Sequence, residues 1–360
     1  MTKTPRLDWF VIFPILSWLL FLSGLISSNV IFEILAGVLL MSSVIAAVHH
    51  SEVVAQRVGE PFGTIILAVS ITIIEVGIIS SLMLQGGQNS TVLARDTVFA
   101  ATMLILNGII GICLLVGGVK HVEQYFSKHS ANTALISLMS IIFFTLILPN
   151  YTTSIQGPIY SPPQLIFVAL ACLVIYGAFL FTQTVRHRAY FLTETTSEDE
   201  DEGSSLEVSN ATATKSLLLL LVSLVIIVLL AKKLSPSIET LVLSANLPKS
   251  LVGVVIATII LLPEGVAAIQ AAQKNRLQTS LNLALGSVLA SIGLTIPTVA
   301  LVSHLLGLEL VLGLDAKSML LLGLSFLTVM LSLSKGKTNM LYGVVLLVNL
   351  AGYIFTIIFP

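Results

Sequence analysis

The sequence predicts an all-α polytopic membrane protein of about eleven transmembrane helices, two inverted five-helix repeats behind one extra N-terminal helix. Three observations predict it. First, 56% of the 360 residues are hydrophobic and only 10% charged, with a mean hydropathy of +1.02. A soluble domain carries roughly a quarter charged residues, so the bilayer must be the solvent here. Second, apolar runs of about twenty residues, the length that crosses the hydrocarbon core as a helix, recur along the whole chain. Third, two of these runs align, and each carries a glutamate at the same depth.

In order, the spans fall near 9–28, 31–48, 61–84, 97–119, 132–149, 164–183, 214–231, 248–272, 279–304, 318–334 and 338–358, broken at Gly, Pro, Asn and charge clusters. The first follows Lys3 and Arg6 like a signal peptide, but it is long and no small-residue cleavage site follows it cleanly, so it reads as a retained helix. Orientation follows from Lys and Arg. With the N-terminus inside, Lys3, Arg6, Arg57, Lys120, Lys128, Arg186, Arg188, Lys215, Lys274, Arg276, Lys335 and Lys337 are inner, twelve in all. Five are outer: Arg95, Lys232, Lys233, Lys249 and Lys317. That bias predicts a cytoplasmic N-terminus and a C-terminus outside, in a bacterial inner membrane. Residues 194–207, ETTSEDEDEGSSLE, hold seven of the eighteen acidic residues and read as a solvated linker or a cation-attracting surface. The organisation expected is an extra helix (1–28), a first repeat (31–185), an acidic cytoplasmic linker (186–213) and a second repeat (214–360).

Setting residues 61–77, PFGTIILAVSITIIEVG, against 250–266, SLVGVVIATIILLPEGV, brings Ala68 onto Ala257 and Glu75 onto Glu264. Each Glu comes fourteen residues into its run, about 21 Å along a helix and well inside a core about 30 Å thick. The Glu75 span is third and the Glu264 span eighth, so they cross in opposite directions. Inverted repeats with polar groups at the midplane mark secondary transporters.

A charge at the bilayer centre costs about 3 kcal/mol on insertion scales, so two at equivalent depth point to a shared ion site. Two ionised carboxylates facing one cavity repel, and bound cation or bound protons offset the repulsion. Cation and proton therefore compete for the same oxygens. If only loaded states reorient, the result is obligatory exchange. The remaining ligands must be neutral oxygens, since Ca²⁺ takes six to eight. Pro263 cannot donate to the carbonyl of Ile259, which frees backbone oxygen beside Glu264, and Gly265 loosens the same turn. Thr72, Ser70 and Thr258 lie one turn or more from the two Glu residues on their own helices, and Asn107, Ser287 and Ser291 lie on the helices that follow. For the hydroxyls, a ligand role and a bond back to their own helix are both open.

At these residues the chain resembles the calcium/cation antiporter superfamily, in particular the bacterial ChaA-type Ca²⁺ or Na⁺(K⁺)/H⁺ antiporters of its cation/proton exchanger branch. The stretches that carry the resemblance are HHSEVVAQRVGEPFGTIILAVSITIIEV (49–76) and LLPEGVAAIQAAQKNRLQTSLNLALGSVLASIGLT (261–295). The resemblance implies that Glu75 and Glu264 bind the ion and the protons. It places Asn107 at the asparagine of the first repeat's second helix, and Gly286 and Ser287 at the Gly-Ser pair of the second. It makes the helices at 31–48 and 214–231 the sliding pair and the acidic segment regulatory. The family's Gly-Asn-Ala before each Glu is replaced by Thr72-Ile73-Ile74 and by Leu261-Leu262-Pro263, and the glutamine expected near Ala290 is missing. Fewer amide oxygens are therefore on hand, which bears on ion selectivity.

His49, His50, Glu52, Arg57 and Glu60 cluster at the inner end of the second span. A histidine pair beside a carboxylate suits pH sensing or gating, against solvated interface residues as the alternative, and Glu52 also matches an acidic position of the family. Trp9 and Trp18 read as interface and packing residues, and Cys113 and Cys172, inside apolar runs, as buried thiols. A net charge of −1 gives no support to a nucleic-acid partner. Expected partners are inorganic cations (Ca²⁺, Na⁺ or K⁺), protons and lipid, with a homo-oligomer compatible and no cofactor. An uncoupled cation channel is the remaining alternative. An intramembrane hydrolase fits poorly, because the only mid-helix acids are two Glu and His304 lies at a helix end.

Overall fold

The structure is a computed structural model and describes residues 9–59, 62–84, 90–191, 209–245, 248 and 250–359. The acidic segment 194–207, Lys3, Arg6, Glu60, Pro61, Lys249 and Pro360 lie outside the described residues.

The chain folds as α1 (Trp9–Leu22), α2 (Val30–Val58), α3 (Phe62–Leu84), α4 (Leu93–His121), α5 (Lys128–Tyr151), α6 (Pro162–Arg186), α7 (Asn210–Ser244), α8 (Ser250–Gln273), α9 (Leu277–Leu306), α10 (Ala316–Leu333) and α11 (Met340–Ile358). Among the described residues nine helices are long and apolar enough to cross a membrane, and α1 and the apolar stretch Ala68–Ser81 of α3 are shorter. Helix ends follow local chemistry. The Asn29 and Asn339 side chains accept from the Ile31 and Leu341 amides to start α2 and α11. Gln164 accepts from the Ser161 amide ahead of Pro162, and Gly307, at φ 65°, closes α9. On α10, Leu320, Leu324, Leu327 and Leu331 form one exposed stripe, the face a lipid-bathed helix presents.

Two helices outrun their spans. Helix α2 continues to Val58 and so carries His49, His50, Glu52 and Arg57 on its last turns. Helix α7 continues to Ser244, which places Lys232 and Lys233 within the helix and not in an outer loop. The reason is periodicity: Leu234, Ile238, Leu241 and Val242 keep the helical spacing, and Leu234 and Val242 are buried. Pro236 removes only the bond to the Lys232 carbonyl.

The packing is reciprocal between the halves. Helix α3 of the first half lies on α9 of the second, and α8 of the second lies on α4 of the first. Likewise α6 packs on α9, and α11 on α4. The loops repeat the exchange. Gln124–Tyr125, after α4, pairs antiparallel with Lys337–Thr338, before α11. At the other end Ile159, before α6, bridges Val311, after α9. This is the contact pattern of two inverted repeats. Helices α2 and α7 pack on each other and on α3, with α1 against both. The Trp18 indole donates to the Val222 carbonyl of α7 at 3.3 Å, a packing role, and Trp9 is 64% exposed.

Close helix contact in a membrane requires small residues. A Cβ on Gly343 of α11 would fall 2.6 Å from the Gly111 carbonyl oxygen of α4, and closer still to the Leu115 amide. Gly343→Ala is expected to cost about 2 kcal/mol by overpacking, read as a lowered melting midpoint of the purified protein. Gly177→Ala, where a Cβ meets nothing within 4 Å, should not lower the midpoint and is expected to raise it slightly.

Candidate functional site

The reciprocal packing brings each repeat's glutamate helix against the polar helix of the other repeat. Glu75, on α3, is 2% exposed, and its Oε2 accepts from the Ser291 and Thr295 hydroxyls of α9, each at 2.7 Å. Residues 291 and 295 are one turn apart, so a single face of α9 supplies both donors. Glu264, on α8, is 9% exposed, and neither of its carboxyl oxygens has a hydrogen-bond partner.

Two close contacts fix the register of α8 on α4. A Cβ on Gly253 would sit 3.3 Å from the backbone at Asp96 and Thr97, and one on Gly265 would sit 3.3 Å from Ile109. The two contacts agree to within one residue, and they set Glu264 in the layer of Asn107 and Gly108. Asn107 is fully buried within a π-helical turn, Leu104–Ile109. Such turns are frequent at functional sites, and two more occur here, at Phe143–Ile147 and Thr182–Arg186. Its Nδ2 donates to the Ser325 hydroxyl at 2.8 Å and the Met103 carbonyl at 3.3 Å, while Oδ1 is buried without a partner. Counted from the helix starts, Asn107 on α4 and Ser291 on α9 are equivalent, each the fifteenth residue of its helix. The equivalence Asn107 to Glu264, Ser291 to Glu75 is thus built into the two copies.

Of the other candidates, Ser287 lies one turn before Ser291, and its buried hydroxyl oxygen has no partner. Thr72, Ser70 and Thr258 donate to the carbonyls of Ala68, Ile66 and Val254, each four residues back on its own helix. That is the self-bonding alternative, and it leaves only their oxygen lone pairs for a ligand. The inner-end cluster divides. His49 stacks on the Phe10 ring at 3.9 Å, and His50 Nε2 lies 3.3 Å from the Phe10 carbonyl, so both face α1. Glu52, on the same helix, is exposed.

Two residues escaped the sequence reading. Thr295 was legible as the i+4 neighbour of Ser291. Ser325, on α10, lies outside both aligned stretches, and nothing in the sequence marks it. Among the described residues no three His, Cys, Asp or Glu side chains are grouped to hold a metal. A cation here would therefore need neutral oxygens beside the carboxylates, and the unpartnered Asn107 Oδ1 and Ser287 Oγ suit that demand.

The family profile described as sodium/calcium exchanger protein matches residues 28–185 and 215–359. The chain is 42% identical to y4hA of Sinorhizobium fredii over 345 residues, covering 92% of this chain and 93% of that protein. It is 34% identical to the sodium-potassium/proton antiporter ChaA of Escherichia coli over 362 residues, covering 99% and 97%. Its fold is similar to a crystal structure of the Ca²⁺/H⁺ antiporter YfkE, with a TM-score of 0.72 at 16% identity over 98% of this chain and 99% of that one.

Proposed function

The chain belongs to the sodium/calcium exchanger protein family, and from that premise we propose that it is a secondary active antiporter that exchanges Ca²⁺ for H⁺. One observation carries the reading: a buried glutamate at the equivalent position of each inverted copy, held by hydroxyls in one and unpartnered in the other. A dry site with two carboxylates is costly when both are ionised and empty. One divalent cation or two protons neutralises it. Alternating occupancy by the two, with only neutralised states crossing, yields exchange without any further energy source. Helices α2 and α7 are the elements we assign to sliding over the glutamate helices, since they pack on one another and on α3.

Asn107, Ser287 and Ser291 supply the neutral oxygens or donors, with the Thr72 oxygen in reserve. Glu52, exposed on the last turns of α2, offers an inner route for protons or cations. His49 and His50 tie the same end of α2 to α1, where protonation would alter that contact. We assign the N-terminus to the cytoplasmic side of a bacterial inner membrane on the Lys and Arg bias, and a regulatory role to segment 194–207. The repeats are assigned to 31–185 and 214–360, either side of the linker 186–213.

A second reading, Na⁺ or K⁺ against H⁺ at the same site, is favoured by the whole-length similarity to the E. coli sodium-potassium/proton antiporter. One experiment separates them. Purified protein is sealed into liposomes with a pH-sensitive dye inside, a proton gradient is imposed, and Ca²⁺, Na⁺ or K⁺ is added singly. Proton efflux on Ca²⁺ at micromolar levels supports the first reading, and a response only to Na⁺ or K⁺ supports the second. Silence with every ion, in folded and inserted protein, overturns both.

A further inference from the structure

We infer that Ser325 of α10 is a positioning residue for cation selection, because it locks the Asn107 amide with its carbonyl oxygen free for the transported ion. The inference rests on the antiport reading above.

The hydrogen bonds orient the amide. The Ser325 hydroxyl has two acceptors for its one proton, the Leu321 carbonyl at 2.8 Å and the Met103 sulfur at 3.5 Å, so toward Asn107 it accepts. The second group facing the amide is the Met103 carbonyl, also an acceptor, and the third is the Met103 sulfur at 3.8 Å from Nδ2. Three acceptors surround one end of the side chain. Rotating the amide by half a turn would set its oxygen against all of them. Nδ2 therefore faces Ser325, and Oδ1 points away, where it is buried without a hydrogen-bond partner. Asn107 is fully buried and Ser325 1% exposed, so water does not substitute for either partner. A buried amide oxygen without a partner costs about 1–3 kcal/mol. It sits in the layer of the unpartnered Glu264 carboxyl, where a carbonyl dipole aimed at a cation recovers that cost.

The other copy is built differently. At the position equivalent to Asn107, Ser291 spends its hydroxyl on Glu75. Among the described residues the amide oxygen in this layer is thus on the Glu264 side, and its orientation depends on a helix outside both aligned glutamate stretches. With Ser325 unable to accept, the amide is free to turn, and the site loses a fixed neutral oxygen. A divalent ion, which takes more oxygen ligands, should suffer more than a monovalent one.

The test compares Ser325→Thr with Ser325→Val, which differ by a hydroxyl in place of a methyl. Both are reconstituted beside the unaltered protein, whose proton-coupled transport in the same vesicles is the check on the antiport reading itself. If the unaltered protein is inactive, that reading fails first and the inference with it. If it is active, Ser325→Val is expected to raise the half-saturating concentration of the transported cation roughly fivefold. It should also shift the preference between Ca²⁺ and Na⁺, while Ser325→Thr stays near the unaltered values. In an Asn107→Ala background the valine substitution should add nothing. Equal half-saturation in the Thr and Val variants overturns the proposal. So does a valine effect that persists without Asn107. Should valine not be accommodated, as a melting curve would reveal, Ser325→Ala enters the same comparison with the same two deciding outcomes.

Discussion

Glu264→Gln is expected to abolish Ca²⁺ exchange while the protein remains folded with an unchanged or higher melting midpoint. The two halves of this result have one cause. Glu264 is enclosed and neither oxygen is hydrogen-bonded, so its charged form contributes nothing to the folded state. An amide of the same shape is neutral at every pH, so the fold loses no charge-dependent contact by the substitution. Transport, in contrast, needs that charge. With it removed, one carboxylate remains in the site, which balances a monovalent ion or a single proton and leaves a divalent ion with an uncompensated charge. Glu75→Gln should also end Ca²⁺ exchange, but its stability should respond differently. Glu75 accepts two hydroxyls at 2.7 Å on one oxygen. The amide oxygen of glutamine is a weaker acceptor than a carboxylate, and about 1 kcal/mol of stability should be lost. Dye-monitored proton flux and melting curves on both variants check the pattern. Unimpaired exchange in both would remove the glutamate pair from the mechanism, whatever the melting curves showed.

Much of this site is legible in the sequence because the membrane makes polar residues conspicuous. Glu75 and Glu264 stand out against apolar runs, and the odd number of spans between them gives opposite directions. The structure adds that each glutamate faces the other copy's polar helix, with α3 on α9 and α8 on α4. Sequence order alone suggested nothing about that exchange of partners, since neighbours along the chain are the natural first guess. Ser291 was found because it lies on a polar helix following a glutamate helix. Thr295 completes the same face and needed only the helical period to be seen. Ser325 was not legible at all: a single serine in an apolar span usually bonds its own helix, as Ser325 does through Leu321. Its second role arises from a neighbour more than two hundred residues away, and only the packed structure brings the two together. Helix ends differ from the sequence expectation where a charge cluster looks like a boundary. Lys232 and Lys233 look like a terminus, yet the apolar period runs on through them and the helix follows the period.

Raising the pH on the cation-loading side by one unit is expected to lower the half-saturating cation concentration about tenfold if one proton competes, and about a hundredfold if two do. The maximal rate at saturating cation should change far less. This follows from shared oxygens. When a proton must leave before a cation enters, apparent affinity scales with the fraction of sites free of protons, and each competing proton contributes one power of ten per pH unit. At higher pH, where the site is already free, the dependence must flatten. The slope therefore counts the protons displaced per ion, and with it the charge moved per cycle. A slope of two with Ca²⁺ means neutral exchange through both glutamates, while one with Na⁺ means that a single carboxylate changes hands. Initial rates in vesicles clamped at a series of pH values, measured for each cation, supply both the slope and the plateau. The opposite pattern would be a half-saturating concentration that ignores pH while the maximal rate follows it. Protons would then act elsewhere, with the inner end of α2, where Glu52, His49 and His50 lie, the next place to look. Competition at Glu75 and Glu264 would be ruled out. The same measurement on Glu52→Gln separates the two locations, since a proton route through Glu52 alters the rate at which protons arrive but not the equilibrium they compete in.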